Sequence, residues 1–241
     1  HDSALIAIAR RSPVEYDVHR ENATIIFGVP ADAVTNDQRY LAKRGVHASH
    51  YGLAGKRLAD ELLKDGYVHD GDECQAMIDT YLNARSAIKT WQASIRREIL
   101  QRRVLANSWG RVIDFTYERL ADDLFRRGYA FKPQSDVGAL MNQWGLVPLA
   151  AFLRAQRMRS TINLQMHDSL VLCAVPDEAY DLAQFARESL ERPRRYEGVS
   201  LTIPLEYTIG RTWAGDRTWK ALPDRDEFES AVRDVMRRGQ T

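Results

Sequence analysis

The chain has few residues that form covalent or metal cross-links. Cys74 and Cys173 are the only cysteines among 241 residues, which excludes a disulfide framework and a cysteine-rich zinc site. No stretch approaches the run of about 18 apolar residues that a membrane helix needs, and the first residues lack the order of a signal peptide. We therefore expect a cytoplasmic protein with no membrane partner.

An excess of either charge is also missing, since the formal net charge is +1. The distribution is uneven, however. Residues 38–57 hold five Lys and Arg and two His but no Asp or Glu, and residues 85–111 hold seven Lys and Arg against Glu98. Two such runs favour a polyanionic partner. The alternative for either run is a solvated helix face.

The hydrophobic content of 44% is enough for a substantial core and excludes collagenous and disordered classes. Apolar periodicity predicts helices through residue 102, and alternating apolar residues predict hairpins after it, so we expect an α+β fold. The expected helices are 37–50, 56–64, 73–102, 133–157, 176–190 and an amphipathic C-terminal helix capped by Asp224, and the expected strand regions are 104–115, 162–175 and 199–209.

Four residues recur at intervals of four from position 39 to position 51. Arg39, Lys43, His47 and Tyr51 drift by about 40° per step on a helix, so they form one slowly turning stripe. Two cations, an imidazole and an aromatic ring are suited to hold a triphosphate and to stack on a base or sugar. The alternative is an ordinary basic helix face.

The dipeptide His167-Asp168 separates two apolar segments, which predicts an exposed hairpin turn. Asp is common in turns for conformational reasons alone. A carboxylate on a rigid hairpin is also a hard oxygen ligand of the kind that Mg²⁺ prefers. Both interpretations stand at this point.

Together these strings resemble the family A (Pol I-like) DNA polymerases. Gln38 to Lys43, followed by His47 and Tyr51-Gly52, resembles their motif B, and the string at 165–171 resembles motif C. Further similar strings, in the family's order, are Asp-Val-His at 17–19, Phe-Gly-Val-Pro at 27–30, Asn-Ser-Trp-Gly-Arg at 107–111 and Ala-Phe-Lys-Pro-Gln at 130–134. The resemblance spans residues 17 to 213.

The resemblance implies a helical fingers subdomain at 1–102, with the motif B helix at 37–51. It implies the C-terminal part of a palm, with a small antiparallel sheet, at 103–241. The implied activity is template-directed DNA synthesis from dNTP on a primer-template with two Mg²⁺ ions. The implied roles are metal binding and catalysis for Asp168, proximity to the primer end for His167, triphosphate contact for Arg39, Lys43 and His19, nucleotide contact for His47, the template insertion site for Tyr51, and DNA contact for Gln134, Arg111, Gly52 and Asn107.

Three features of the sequence, two single residues and one motif, depart from the family pattern. His47 stands where Phe or Tyr is usual, which puts sugar selection in doubt, and Ser169 stands where Glu is common. Motif A, the Asp-x-Ser-x-x-Glu element with the other essential metal ligand, is not matched by Asp2-Ser3-Ala4.

We therefore expect the chain to begin after motif A and to be inactive alone. A second polypeptide, as in a split polymerase, or an upstream segment would supply motif A, the thumb and any exonuclease, in a bacterial or phage-infected cell. The alternatives are a non-catalytic nucleic-acid-binding module of the same fold and an unrelated phosphohydrolase built on His167-Asp168, which needs further His and Asp ligands.

Overall fold

The computed structural model describes residues 3–12, 14–196 and 198–238, and it confirms the α+β class. The helices are α1 (Ser3–Ala9), α2 (Val18–Phe27), α3 (Asn36–Tyr51), α4 (Gly55–Lys64), α5 (Gly71–Ala84), α6 (Ser86–Arg102), α7 (Asp122–Leu140), α8 (Val147–Ala155), α9 (Ala179–Leu190) and α10 (Arg225–Arg237). The strands are β1 (Val104–Ala106), β2 (Val112–Asp114), β3 (Thr161–Met166), β4 (Ser169–Cys173), β5 (Arg194–Tyr196), β6 (Val199–Leu201), β7 (Tyr207–Ile209) and β8 (Arg217–Trp219). No helix in these ranges is long and apolar enough to cross a membrane.

The chain forms two compact units. The first unit consists of Tyr16–Asp136 and the residues up to Ile8. The second unit consists of the residues from Val137 onward together with the segment Ala9–Glu15. The division falls inside α7, and the β1–β2 hairpin therefore belongs to the first unit. The expected functional boundary after residue 102 concerns subdomain roles and stays a prediction.

The first unit is built on the buried face of α3. Its buried residues are Leu41, Ala42, Gly45, Ala48 and Ser49. Ala42 packs with Ala23 of α2, and Leu41 and Ala48 pack into an apolar cluster with α4 and α5. Because most of this face consists of small residues, the neighbouring helices approach closely, and the polar residues of α3 are left on its other side.

The start of α3 differs from the expectation by one residue. Thr35 caps the helix, and its hydroxyl and the Gln38 side chain form a reciprocal capping box. Asp37, which the sequence suggested as the start, instead accepts a hydrogen bond from the Tyr67 hydroxyl at 3.0 Å. A Thr followed three residues later by Gln is the signal that identifies the cap.

The expected single helix over 73–102 is two helices. The chain breaks at Arg85, whose φ of −125° and ψ of 57° are not helical, and α6 restarts at Ser86. No Gly or Pro marks the break. The apolar period continues across it, which is why the sequence pattern did not reveal it.

The β1–β2 hairpin is confirmed, with Leu105 paired to Ile113. The following helix was expected to start at Pro133, but α7 begins at Asp122 and Pro133 lies inside it. Pro133 is the expected first residue of the helix, a position that proline favours. Here the helix continues past proline at the loss of one backbone hydrogen bond.

The second unit contains the β3–β4 hairpin, packed with α8 and α9. Leu170 of β4 contacts a cluster with Leu149 and Leu182, while a π-helical turn, Met141–Leu146, joins α7 to α8. The expected strand at 199–209 is two strands, β6 and β7. They belong to separate two-stranded sheets, and Pro204, which has no N–H for a ladder, lies between them.

The C-terminal residues close the second unit. β8 pairs with β7, and Trp219 of β8 stacks on Phe228 of α10 with ring centroids 5.4 Å apart. Asp224 caps α10 as expected, and Phe228 also makes an edge contact with Tyr180 of α9. The last helix is therefore joined to the unit through aromatic packing.

The N-terminal ends of α4 and α5 lie close to each other at Gly55. A Cβ built there would lie 2.2 Å from the Gly71 carbonyl oxygen and 2.5 Å from the Gln75 backbone nitrogen. We expect Gly55→Ala to destabilise the first unit by about 2–3 kcal/mol, because backbone atoms cannot turn aside as side chains do. Urea unfolding measures the change.

Gly45→Ala is the control, since a Cβ there would lie 3.9 Å from Ile26, an ordinary contact. It should be neutral or stabilising by up to about 1 kcal/mol through helix propensity. Equal stability of Gly55→Ala and the natural chain would contradict the close approach.

Candidate functional site

The site begins with a cap at the start of α2. Asp17 has extended backbone, and its Oδ1 accepts hydrogen bonds from the backbone N–H of His19 at 3.0 Å and of Arg20 at 3.2 Å. These bonds satisfy two of the free donors of the first helical turn. The cap therefore fixes the turn that carries His19.

The same carboxylate binds α3. Arg39 donates from Nε to Asp17 Oδ2 at 2.5 Å, in an ion pair that is partly exposed on both sides. Partial burial alone would raise the pKa of Asp17, but the hydrogen bonds from Arg39 and Arg20 outweigh it and hold the pKa below its ordinary value. Asp17 is thus charged at neutral pH and joins α2 to α3.

His19 lies within electrostatic range of both cations of the stripe, Arg39 and Lys43. Its partial burial and the charges of Lys43 and Arg39 lower its pKa, while Asp17 opposes them. His19 is accordingly neutral at pH 7. The structure therefore brings together the three residues expected at a triphosphate, from two different helices.

The stripe continues toward the end of α3. His47 is exposed, and its ring makes an edge contact with Tyr51 at a centroid distance of 4.5 Å. Partial desolvation and the charges of Arg44 and Lys43 lower its pKa. Arg39, Lys43, His47 and Tyr51 all lie on α3, as the spacing required.

The end of α3 is held by residues that the sequence did not single out. Gln92 of α6 donates from Nε2 to the carbonyls of Ser49, at 2.8 Å, and His50, at 3.1 Å. His50 also lies 3.3 Å from the Tyr81 hydroxyl. Gln92 is 43 positions away from Ser49 in the sequence, so no local sequence pattern identifies this contact.

Gly52 ends α3 in a left-handed conformation with φ of 69°. A Cβ there would lie 3.0 Å from the Tyr129 ring of α7. Both the backbone and the close ring favour glycine. The small residue after Tyr51 therefore has a structural reason as well as its expected DNA contact.

The hairpin carries the next expected DNA contacts. Asn107 is buried, and its Oδ1 accepts from the backbone N–H of Trp109 at 3.0 Å and of Arg111 at 2.8 Å. Asn107 therefore shapes the turn, and Arg111 is the exposed member of the pair.

The hairpin turn is joined to α7 through Ser108, whose backbone and hydroxyl both donate to Asp136 at 3.0 and 2.8 Å. Gln134 is exposed two residues before Asp136. Arg111 and Gln134 thus lie on two elements that the Ser108–Asp136 contact holds together.

His167 and Asp168 lie in the second unit, at the two-residue turn between β3 and β4, as expected. Both are exposed, and His167 has a positive φ of 53°. Glycine is the usual residue at such a position in a hairpin. The turn presents Asp168 to solvent at the end of a rigid hairpin.

Asp168 belongs to no group of three or more candidate metal ligands in the part of the chain that the structure describes. No group of three His, Cys, Asp or Glu suited to a metal ion occurs in residues 3–12, 14–196 and 198–238. Nothing there supports the phosphohydrolase alternative. Asp2 lies outside the described residues.

The order of motifs, the helix stripe and the hairpin aspartate agree with a match to a known family. The model of DNA polymerase family A covers residues 1–215. The chain therefore belongs to DNA polymerase family A.

Individual relatives agree. Thermostable DNA polymerase I of Thermus aquaticus is 28% identical over 200 residues, covering 80% of this chain and 22% of that protein. The DNA polymerase of Bacillus phage SP01 is 23% identical over 233 residues, covering 92% and 24%. The chain thus spans about a quarter of the length of these relatives.

A solved structure shares the fold. It is the POL domain of Pol1 from M. smegmatis in complex with DNA primer-template and dNTP, with a TM-score of 0.68 and 20% identity over 83% of this chain and 34% of that one.

We expect the stability of the chain to fall as the pH drops below about 7. His19, His47 and His50 all have lowered pKa values, first through burial and then through neighbouring positive charge. The unfolded chain binds these protons near a pKa of about 6.5, before the folded chain does, so acid favours unfolding. Urea unfolding between about pH 7.5 and 5 measures the slope.

His50→Gln should reduce this slope, and the combination with His19→Gln should reduce it further. A chain that gains stability on acidification in this range would contradict the placement of these rings.

Proposed function

We propose that this chain carries the nucleotide-binding fingers, at 1–102, and the motif C part of the palm, at 103–241, of a DNA-directed DNA polymerase. The observation that carries the proposal is the grouping of His19, Arg39 and Lys43 from two helices in a chain of family A. The reaction is the addition of deoxynucleotides from dNTP to a primer 3′ end, directed by a template strand.

Arg39 and Lys43 bind the triphosphate. Two cations one helical turn apart match a chain of phosphates, and charge-assisted hydrogen bonds are the strongest available to them. His19, neutral before binding, contributes an imidazole N–H donor. Phosphate charge would raise its pKa and strengthen that contact.

His47 and Tyr51 take the sugar and base end. The two rings are in contact, with centroids 4.5 Å apart. A ligand that packs on one ring therefore lies next to the other ring as well. His47 replaces the usual Phe or Tyr with a smaller polar ring. We propose that it contacts the incoming nucleotide and that Tyr51 occupies the template insertion site.

Duplex DNA is held by the hairpin and α7. Arg111 and Gln134 are exposed and supply contacts to the DNA backbone and groove. Asn107 sets the turn that carries Arg111, and Gly52 lets the chain pass close to Tyr129. The Oδ1 of Asn107 is engaged within the turn, and Gly52 has no side chain, so a contact of Gly52 with DNA would use its backbone.

Membership of family A implies the use of a divalent metal, and a bound Mg²⁺ would supply Lewis-acid activation for the primer hydroxyl and charge neutralisation for the leaving pyrophosphate. Asp168 fits as one hard oxygen ligand at an exposed turn, with His167 next to it near the primer end. One carboxylate does not fit a pair of ions, and Ser169 adds no charge. We propose that motif A, with thumb and any exonuclease, comes from another part of the same protein or from a second polypeptide.

Arg39→Ala and Lys43→Ala should each weaken dNTP binding by about 1.5–3 kcal/mol and leave primer-template affinity nearly unchanged. The reason is the loss of one charge-assisted contact to phosphate. Fluorescence titrations of dNTP and of DNA with the complete assembly measure the two affinities.

Arg57→Ala is the control, because Arg57 is an exposed cation on α4 outside the stripe. Equal losses for dNTP and DNA in the stripe variants would mean that α3 is a general electrostatic patch.

We expect these 241 residues to extend a primer with Mg²⁺ only after a segment with motif A is supplied, in the same chain or separately. Asp168→Ala should then abolish extension and retain DNA binding, since the basic runs carry the phosphate contacts. Asp177→Ala, a change at another exposed aspartate in the second unit, should remain active.

Robust extension by the 241 residues alone would overturn the requirement for motif A. Full activity of Asp168→Ala would overturn the metal assignment. DNA binding without extension in every assembly would favour the alternative, a non-catalytic nucleic-acid-binding module.

A further inference from the structure

We propose that Asp17 is a positioning residue for the triphosphate site, a role that rests on the proposed function. A single carboxylate fixes the Arg39 guanidinium on α3 and the turn of α2 that carries His19. The residue itself would not touch the nucleotide. It would set the distance and direction between two groups that do.

The bond to Arg39 orients the guanidinium. Asp17 accepts from Nε, which is one of five N–H donors of arginine, and among the described residues no hydrogen bond occupies either terminal nitrogen. The Arg39 side chain is 37% exposed, so those nitrogens have access to a ligand. A guanidinium held in this way loses less rotational freedom when phosphate binds.

The bonds to α2 fix the other half of the site. Oδ1 accepts from the N–H groups of His19 and Arg20, while the Arg20 side chain donates to the Val34 carbonyl at 2.7 Å, next to the Thr35 cap of α3. Two contacts therefore connect the start of α2 to α3 and its cap, the Asp17–Arg39 ion pair and the Arg20–Val34 hydrogen bond. Movement of α2 relative to α3 would break both contacts.

The choice of residue type supports this role. A carboxylate has two acceptor oxygens, and here each serves a different helix, whereas an amide has one acceptor and would point donors at the other helix. A negative charge beside a triphosphate opposes binding through Coulomb repulsion. Its presence is therefore consistent with a positioning role that outweighs the repulsion.

A double-mutant cycle separates positioning from charge. The 241-residue chain is titrated with inorganic tripolyphosphate by calorimetry, without added metal, as natural chain, Asp17→Asn, Arg39→Ala and the combination. We expect Asp17→Asn to weaken binding about 3- to 10-fold when Arg39 is present. In the Arg39→Ala background it should give no weakening, because the guanidinium is absent and the amide oxygen of Asn still caps the turn that carries His19.

Asp70→Asn is the matched control, since Asp70 caps α5 through the backbone of Asp72 and Glu73 in the same way; it should bind like the natural chain. If Asp17→Asn unfolds, Asp17→Ser replaces it, because serine keeps a capping oxygen that does not reach Arg39.

Equal weakening in both backgrounds would show that Asp17 acts as a helix cap alone. Equal tightening in both would show that it acts by charge alone. Either result overturns the proposal. If the natural chain fails to bind tripolyphosphate, or if Arg39→Ala and Lys43→Ala have no effect, the proposed function of α3 fails instead.

Discussion

The first unit depends on how closely α3 packs against its neighbours. Ala42 and Ala48 on the buried face let α2 and α5 approach closely, and larger side chains at these two positions would separate the helices. That packing fixes the rotation of α3 about its own axis. The stripe from Arg39 to Tyr51 is therefore a consequence of what lies on the other side of the helix.

Features that follow from local sequence were predictable. The four-residue spacing of Arg39 and Lys43 places them on one helical face whatever packs behind it, and apolar strands on both sides of His167-Asp168 require a turn there. The break at Arg85 and the passage of α7 through Pro133 were missed, because each depends on tertiary packing that overrides local preference.

The functional contacts that the sequence did not reveal are long-range. Asp17 and Arg39 are 22 positions apart, and Gln92 reaches carbonyls more than 40 positions away. A polar contact of this kind needs only one residue on each of the two elements, so it leaves no periodic pattern in the sequence. Residue motifs therefore revealed the groups that we propose face a ligand, and they did not reveal the groups that support them.

The family model ends at residue 215, yet β8 and α10 follow it and are part of the second unit. Trp219 and Phe228 fill space against Tyr180, and β8 is the strand paired with β7. A recombinant boundary at residue 215 would remove Trp219 and Phe228, uncover the Tyr180 ring and leave β7 as an unpaired edge strand open to self-association. Expression designs should thus retain the chain through α10.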